Sequence, residues 1–405
     1  MNFPLRVVIY RTTLELINLA TELITMKSMY TYLNGNVSVK ASERMDSACC
    51  VETMHQEGEV YAVFRLSVTG SETFEEQMEM LFIAKKRFLE TVGEGGSIVF
   101  ERYFLSDIAN QIGIAERYRD TVAATSFIGQ EPMDGSKVAL LLCMQKGGKV
   151  WREGEFTIAE SHGCRHYWLT GLSAKGADSY EETQTLLHRY EEQLKRSGMS
   201  IAGNCLRTWF FVKDVDSNYA GLVRGRREYF EEIELTPDTH FIASTGINGT
   251  PRNTASRVHL DALAVEGVKE SQIAYLHAPS HLNPTHEYNV TFERGTKVSY
   301  EDCCHLWISG TASIDNKGEI LHEGCVLKQT ERMLENVEAL LQAGGAGFSD
   351  VAYMIVYLRD IADYRMVNEY LEERFPETPK VVVHAPVCRP GWLIEMECLA
   401  VRGER

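Results

Sequence analysis

The sequence predicts an α/β (α+β) chain built from three versions of one unit, and three observations carry that prediction. Three stretches, FEEQMEMLFIAKKRFLETVG, YEETQTLLHRYEEQLKRSG and LKQTERMLENVEALLQAGG, place apolar residues at i, i+3, i+4 and i+7 and run out at Gly93, Gly198 and Gly344. That is the pattern of an amphipathic helix closed by a glycine cap. After each comes a strand-like run ending in an acidic turn, RYFLSDIA, TWFFVKDVD and VYLRDIAD, with Asp107, Asp214 and Asp360 in register. Each unit then closes on an apolar strand: VALLLCMQKG, VHLDALAVEG and IEMECLAVRG. Such self-similarity is the mark of a repeated fold.

Taken in order, residues 1–44 read as an N-terminal extension. Its opening MNFPLRVVIYRTTLELINLATELIT has neither a long apolar core nor a small-residue cleavage site, so no signal peptide is expected, and Met26 or Met29 is a candidate native start. The units span residues 45–150, 151–270 and 271–405. Each opens on a strand, VYAVFRLSVTG, HYWLTGLSA or HLWISGTASI, and continues helix, strand, helix, strand; the second helix is plainest in ADYRMVNEYLEERF.

Composition limits what such a chain can do. At 405 residues it exceeds one ordinary domain. With 44% hydrophobic and 24% charged residues it is expected to be globular. A net charge of -16 argues against a phosphate-backbone binder, so no nucleic-acid partner is expected. No run approaches the ~18 apolar residues of a membrane span. The ten cysteines contain no CxxC pair, and Cys49-Cys50 and Cys303-Cys304 lack zinc-site spacing. Most, such as Cys143 and Cys398, sit in apolar runs as small hydrophobes. A reduced, cytoplasmic protein is expected.

Two helices cover only one face of a small sheet, so the other must be buried against something else. In the closing strand of the third unit, Ile394, Met396, Cys398 and Ala400 alternate with Leu393, Glu395, Glu397 and Leu399. The all-apolar set suits the helix-covered face. The mixed set belongs on the uncovered face, which places a functional carboxylate between units.

The third unit, with SGTASIDNKGEILHEG, LKQTERMLENVEALLQAGG, FSDVAYMIVYLRDIADY, VNEYLEERFP and IEMECLAVR, resembles a YjgF/RidA-type domain over its whole length. That family forms trimers of small chorismate mutase-like α/β subunits with ligand sites at the interfaces. The resemblance implies that this chain is a covalent pseudo-trimer around a central sheet barrel, as a monomer or weak homo-oligomer. A narrower resemblance covers residues 160–405. RTWFFVKDVDSNYAGLVRGRREYF, ASTGING, FERGTKV, SGTASI and APVCRPGWLIE are similar in kind and order to segments of the chorismatases, which hydrolyse chorismate to pyruvate and a cyclic dienol or hydroxybenzoate. Two departures stand out. TPKVVV places Lys380 where RidA domains carry an arginine that grips the substrate carboxylate, and lysine is no bidentate fork. The segment AYLHAPSHLNPTHEYNVTFERG lacks a Tyr-Pro-Arg element associated with chorismatases.

Hydrolysing an enolpyruvyl ether requires a proton on the vinyl carbon and then water at the oxocarbenium. A neutral carboxylic acid in an apolar site can supply that proton. By the resemblance, Glu395 is that acid; the repeat places Ala139 and His259 at its equivalents, so one competent site per chain is expected. Glu397 reads as structural, because Asp261 keeps an acid there in the second unit. A dianionic substrate calls for guanidinium partners. Arg389 in the CRPG turn comes first, then Arg226 or Arg227, Arg207 and Arg294. The backbone amides of Ser244, Thr245 and Gly246, and of Gly310, Thr311 and Ala312, are candidate anion-binding nests. Cys388 lacks a His/Asn partner pattern and reads as a pocket-lining thiol; His322 reads equally well as a loop residue without a role.

The chemistry demands no metal or organic cofactor, and the expected partner is a small anionic carboxylate. Two alternatives stand beside a chorismatase-like activity: a RidA-type 2-iminobutanoate/2-iminopropanoate deaminase, and a non-catalytic small-carboxylate or protein binder of the same fold. The endoribonuclease and translation-inhibitor labels of the superfamily find little support in so acidic a chain.

Overall fold

A computed structural model describes residues 39–46, 49–92, 95–288 and 290–403. The proposed cap at Gly93 and the candidate starts at Met26 and Met29 lie outside the described residues. The described residues form three mixed sheets of seven, six and seven strands, each covered on one face by helices. In the first unit the order is β1 (Val39–Asp46), β2 (Cys49–Gln56), β3 (Glu59–Leu66), α1 (Phe74–Thr91), β4 (Gly96–Leu105), α2 (Ile108–Ala115), β5 (Ala124–Gly129), β6 (Glu131–Pro132) and β7 (Val138–Lys146). The first sheet thus begins at Val39, inside the segment read as an extension, because β1 pairs antiparallel with β2.

The second unit repeats this plan with β8 (Val150–Glu153), β9 (Phe156–Ser161), β10 (Cys164–Ser173), α3 (Ser179–Arg196), α4 (Ile201–Asn204), β11 (Cys205–Val212), α5 (Val215–Glu232), β12 (Ala243–Asn248), β13 (Thr250–Pro251) and β14 (Val258–Glu266). The third has β15 (Ile273–Tyr275), β16 (Gly295–Ser299), β17 (Cys303–Ala312), α6 (Val326–Ala343), β18 (Val351–Leu358), α7 (Tyr364–Arg374), β19 (Lys380–His384) and β20 (Ile394–Gly403).

Local chemistry sets the helix ends. Thr73 and Glu76 form a reciprocal capping box at the start of α1, and the Asp178 side chain accepts from Glu181 N at the start of α3. At the C-terminal ends the left-handed turn falls on Gly198 (φ +75°) after α3 and on Gly345 (φ +82°) after α6. Gly344 itself stays helical, so the stop comes one residue later than the sequence suggests.

Strand registers give the repeat its physical form. The closing strand of each unit pairs antiparallel with the strand before the second helix, matching Phe104 with Ala139, Phe211 with His259, and Tyr357 with Glu395. The three positions aligned from sequence are therefore equivalent in space within their sheets. A strand that the sequence patterns do not announce follows each second helix: β5, β12 and β19 run parallel to β4, β11 and β18. Beyond each lies a proline that meets the edge of a neighbouring sheet. Pro132 pairs with Val383, Pro251 pairs with Ile128, and Pro386 O accepts from Asn248 N at 3.3 Å. Proline fits an edge because it needs no ladder N–H there. The contacts run cyclically, first unit onto third, second onto first, third onto second.

The uncovered faces meet around a shared aromatic centre. Phe100 stacks on Trp168 at 4.8 Å between ring centroids, and Trp307 meets Trp168 and Trp209 edge-on at 6.0 Å. Each such pair adds roughly 0.5–1.5 kcal/mol beyond its buried area, so the centre is a packed core and not a channel. On β20 the alternation falls as expected. Leu306, the cross-strand partner of Ala400, packs under the Gly344 end of α6, whereas Glu397 faces the second unit.

Candidate functional site

The site forms where the third unit meets the second. A narrow cleft is lined by Tyr219, Arg226, Ser244 and Gly246 from the second unit and by Arg294, Gly310, Ala312, Cys388, Arg389, Trp392 and Glu395 from the third, with Val290 and Phe292 at its side. Its cavity volume is about 40 Å³, room for only a few waters. Cys388 and Arg389 at its edge are half-buried.

Glu395 is 5% exposed, on the β20 face turned toward the second unit. Burial and the neighbouring Glu397 charge push its carboxyl up to about 8, against the smaller opposing pull of Arg207 and Arg294. It is therefore a neutral acid over most of the physiological range, as a proton donor must be. Gly310 makes room for it: a Cβ there would sit 2.9 Å from Glu395 Cδ and 3.1 Å from Thr245 Cγ2. Any side chain at position 310 would displace the carboxyl.

Three guanidinium groups line the cleft with this acid. Arg226 leaves α5 buried, donates to Ser244 Oγ at 3.3 Å, and lies 5.8 Å from the ring centroids of Phe210 and Phe292. Arg294, just ahead of β16, donates to Asn283 O at 3.1 Å, holding the long 276–294 connection over the cleft. That connection is anchored to the second unit, where Phe241 N donates to Glu293 Oε1 and Glu293 N to Ile242 O. Arg389 lies 5.0 Å from the Trp392 ring centroid. Aromatic faces keep such cations oriented while water is excluded. The sequence leaves Arg226 and Arg227 open; the structure lines the cleft with Arg226.

The remaining candidates named from the sequence sit elsewhere, each for a stated reason. Arg207 is fully buried and committed to Glu397 Oε2 at 2.8 Å and Thr245 Oγ1 at 2.5 Å. Lys380 lies where the third unit meets the first, donating to Glu52 Oε1 at 3.2 Å and Phe375 O at 2.9 Å. Thr311 follows a bulge in β17 that pairs it with Met396, which turns it to the helix-covered face. Thr245 ties the two units together by accepting from Gly310 N at 2.9 Å. The proposed amide nests are strands, and their amides are engaged: Ser244 N donates to Ser309 Oγ at 2.9 Å, and Gly310 N to Thr245. Gly246 and Gly310 contribute space instead of anion-binding amides.

Tyr219, Phe292 and Trp392 are site residues that the sequence patterns did not single out. Tyr219 sits seven residues before Arg226 on α5, two turns along the same face, and that spacing was its available signal. Its hydroxyl bonds to Cys388, while burial and Glu395 push the Cys388 thiol up to about 12. Cys388 is thus a neutral lining group, not a thiolate. Glu397 is held by buried partners: Trp209 Nε1 donates to its Oε1 at 2.7 Å, and Arg102 of the first unit lies 3.9 Å away. Asp261, its counterpart, accepts from Arg102 at 2.9 Å and Ser126 Oγ at 2.5 Å across the other interface. His322 is exposed, in a left-handed turn at φ +60°.

Among the described residues, no helix is long and apolar enough to cross a membrane. Residues 298–402 match the family model described as endoribonuclease L-PSP. A 3-hydroxybenzoate synthase of Streptomyces hygroscopicus is 26% identical over 270 residues, covering 59% of this chain and 75% of that protein. A crystal structure of a chorismatase superposes with a TM-score of 0.58 at 19% identity, over 75% of this chain and 93% of that one, and so shares its fold. A RutC family protein of Pyrococcus abyssi is 37% identical over 100 residues, 24% of this chain and 78% of its own length. With the sheet registers and the helix-covered faces all following one plan, the chain belongs to the YjgF/RidA (RutC, endoribonuclease L-PSP) superfamily.

Proposed function

We propose that the chain is an enzyme that hydrolyses the enolpyruvyl ether of chorismate, or of a closely related dicarboxylate, to pyruvate and a cyclic dienol or hydroxybenzoate. The observation that carries this reading is Glu395, a buried acid neutral up to about pH 8 in a cleft shared with Arg226, Arg294 and Arg389. A similar chain bearing the name 3-hydroxybenzoate synthase supports it. The guanidinium groups pair with the two substrate carboxylates. Glu395 gives its proton to the terminal vinyl carbon, and the ether carbon becomes an oxocarbenium facing the new carboxylate. Water adds at that carbon and returns a proton to Glu395. The hemiketal C–O bond then breaks, the hydroxyl proton passes to the departing ring oxygen, and pyruvate leaves. Ether and water are consumed, one alcohol (the cyclic dienol) and one pyruvate form, and the acid is restored; hydroxybenzoate results where the ring alcohol then loses one water and becomes aromatic.

The test is incubation of purified protein with chorismate while pyruvate is followed with lactate dehydrogenase. Release of one pyruvate per chorismate supports the reading. Deamination of freshly generated 2-iminobutanoate without action on chorismate would replace it with the deaminase reading. Ligand binding without turnover in either assay would leave a binding protein. Cys388→Ala is expected to keep pyruvate release within about a few-fold of the parent, because a thiol held neutral is no nucleophile. Loss of activity with unchanged chorismate binding would give Cys388 a chemical role.

A further inference from the structure

A second cluster of reactive side chains lies away from the cleft, where three equivalent hairpin turns, one per unit, converge at one end of the central barrel. Glu59 comes from the first unit, His162 from the second, and Cys303 and His305 from the third. The side chains of His162 and His305 are each 4% exposed and that of Glu59 13%. His162 Nε2 lies 3.3 Å from Glu59 Oε1, His305 Nε2 lies 2.9 Å from Glu59 Oε2, and Cys303 Sγ lies 3.9 Å from His162 Nε2. Bonds of 2.0–2.3 Å to one tetrahedral ion would set its ligands roughly 3.3–3.7 Å apart. The observed spacings bracket that range.

We propose that these four side chains bind one zinc ion, which pins the three units together at this end of the barrel. The two imidazole Nε2 atoms converge on the two oxygens of one carboxylate, and the ligand atoms of His162, Cys303 and His305 all lie within 4.8 Å of one another. The second shell agrees, since His162 Nδ1 lies 2.8 Å from Asp302 Oδ1, the carboxylate–histidine arrangement that orients a metal-ligating ring. The Tyr300 ring stacks on His162 at 5.1 Å and its hydroxyl lies 2.9 Å from His166 Nε2, fixing the neighbourhood. An entry path exists: a cavity of about 730 Å³ opens over His162 and Glu59, and its rim carries Glu57, Glu160, Glu266 and Asp302 beside Lys146 and Arg165, the arginine paired with Glu160 and Glu266. Thiolate, imidazole and carboxylate together suit zinc better than magnesium or calcium.

The experiment uses the full chain purified without a histidine tag. After growth with added zinc and extensive desalting, elemental mass spectrometry is expected to find one zinc per chain. Cobalt(II) added to chelator-stripped protein is expected to give tetrahedral visible bands and a near-ultraviolet thiolate-to-cobalt band. Cys303→Ser should abolish that band, and Asp302→Asn should weaken cobalt binding by about 10–100-fold. Should Cys303→Ser fail to fold, His162→Asn serves, because asparagine tolerates the φ of +51° at that turn; it should weaken cobalt binding at least tenfold with circular dichroism unchanged. Substoichiometric zinc, a thiolate band that survives Cys303→Ser, or unaltered affinity in folded His162→Asn would overturn the proposal.

Discussion

Glu395→Gln is expected to lower pyruvate release from chorismate by about 10²–10⁴-fold, the range a general acid contributes, while making the protein more stable at alkaline pH. Glutamine keeps the shape and fits the space left by Gly310, but it has no proton to give. Substrate affinity should change little, since the arginines that hold the carboxylates are untouched. The stability effect follows from linkage. The folded carboxyl titrates near 8 and the unfolded one near its ordinary 4.5. Below pH 4.5 both states hold the proton and the site is neutral for folding. Between 4.5 and 8 the unfolded chain releases it first, so the parent loses stability as pH rises, by an amount on the order of a few kcal/mol above pH 8. The variant escapes that loss. Its melting temperature should match the parent's at pH 4 and exceed it by several degrees at pH 8.5. The parent's rate should fall tenfold per unit above about pH 8. Undiminished turnover in Glu395→Gln would end the assignment, and a melting difference independent of pH would show that the carboxyl is not dry.

The architecture was legible because its signals are local and repeated. Helix periodicity, the acidic turns and the closing strands each recur three times, and an apolar face opposite a mixed one told which side of β20 meets another unit. Glu395, Arg226, Arg294, Arg389, Cys388, Gly246 and Gly310 do gather at one cleft. What failed depends on partners distant in sequence. Arg207 and Lys380 read as candidate substrate contacts, yet their acids lie 190 and 328 residues away, at Glu397 and Glu52. The stretch ASTGING reads as a turn because its glycines and hydroxyls mimic one; pairing with β11 makes it a strand. Zinc-spacing rules cannot find Glu59, His162, Cys303 and His305, because those rules describe ligands carried on one short loop and these converge from three units.

Glu397→Gln is expected to cost about 3–5 kcal/mol of stability, the usual consequence of leaving a buried charge without its counter-ion, and to move the alkaline limb of the pH–rate profile to lower pH. Glu397 is 2% exposed and faces two buried cations, Arg207 at 2.8 Å and Arg102 at 3.9 Å. Arg102 keeps Asp261 as a partner at 2.9 Å, whereas Arg207 keeps the Thr245 and Ser309 hydroxyls and the Trp209 ring but has no second carboxylate in an ion pair among the described residues. The cost therefore falls mainly on Arg207. Both catalytic consequences have one sign. The Glu397 charge is one of the forces holding Glu395 neutral, so removing it lets Glu395 ionise at lower pH. Arg207, no longer neutralised, pulls in the same direction. The variant should keep substantial activity at pH 6 and lose it earlier than the parent as pH rises. A purely structural role for Glu397 predicts lower stability with an unshifted profile. Chemical denaturation together with a pH–rate series on the soluble variant decides the matter: a limb that stays near pH 8 would mean that Glu395 is governed by burial alone and that the carboxylate pair is not coupled.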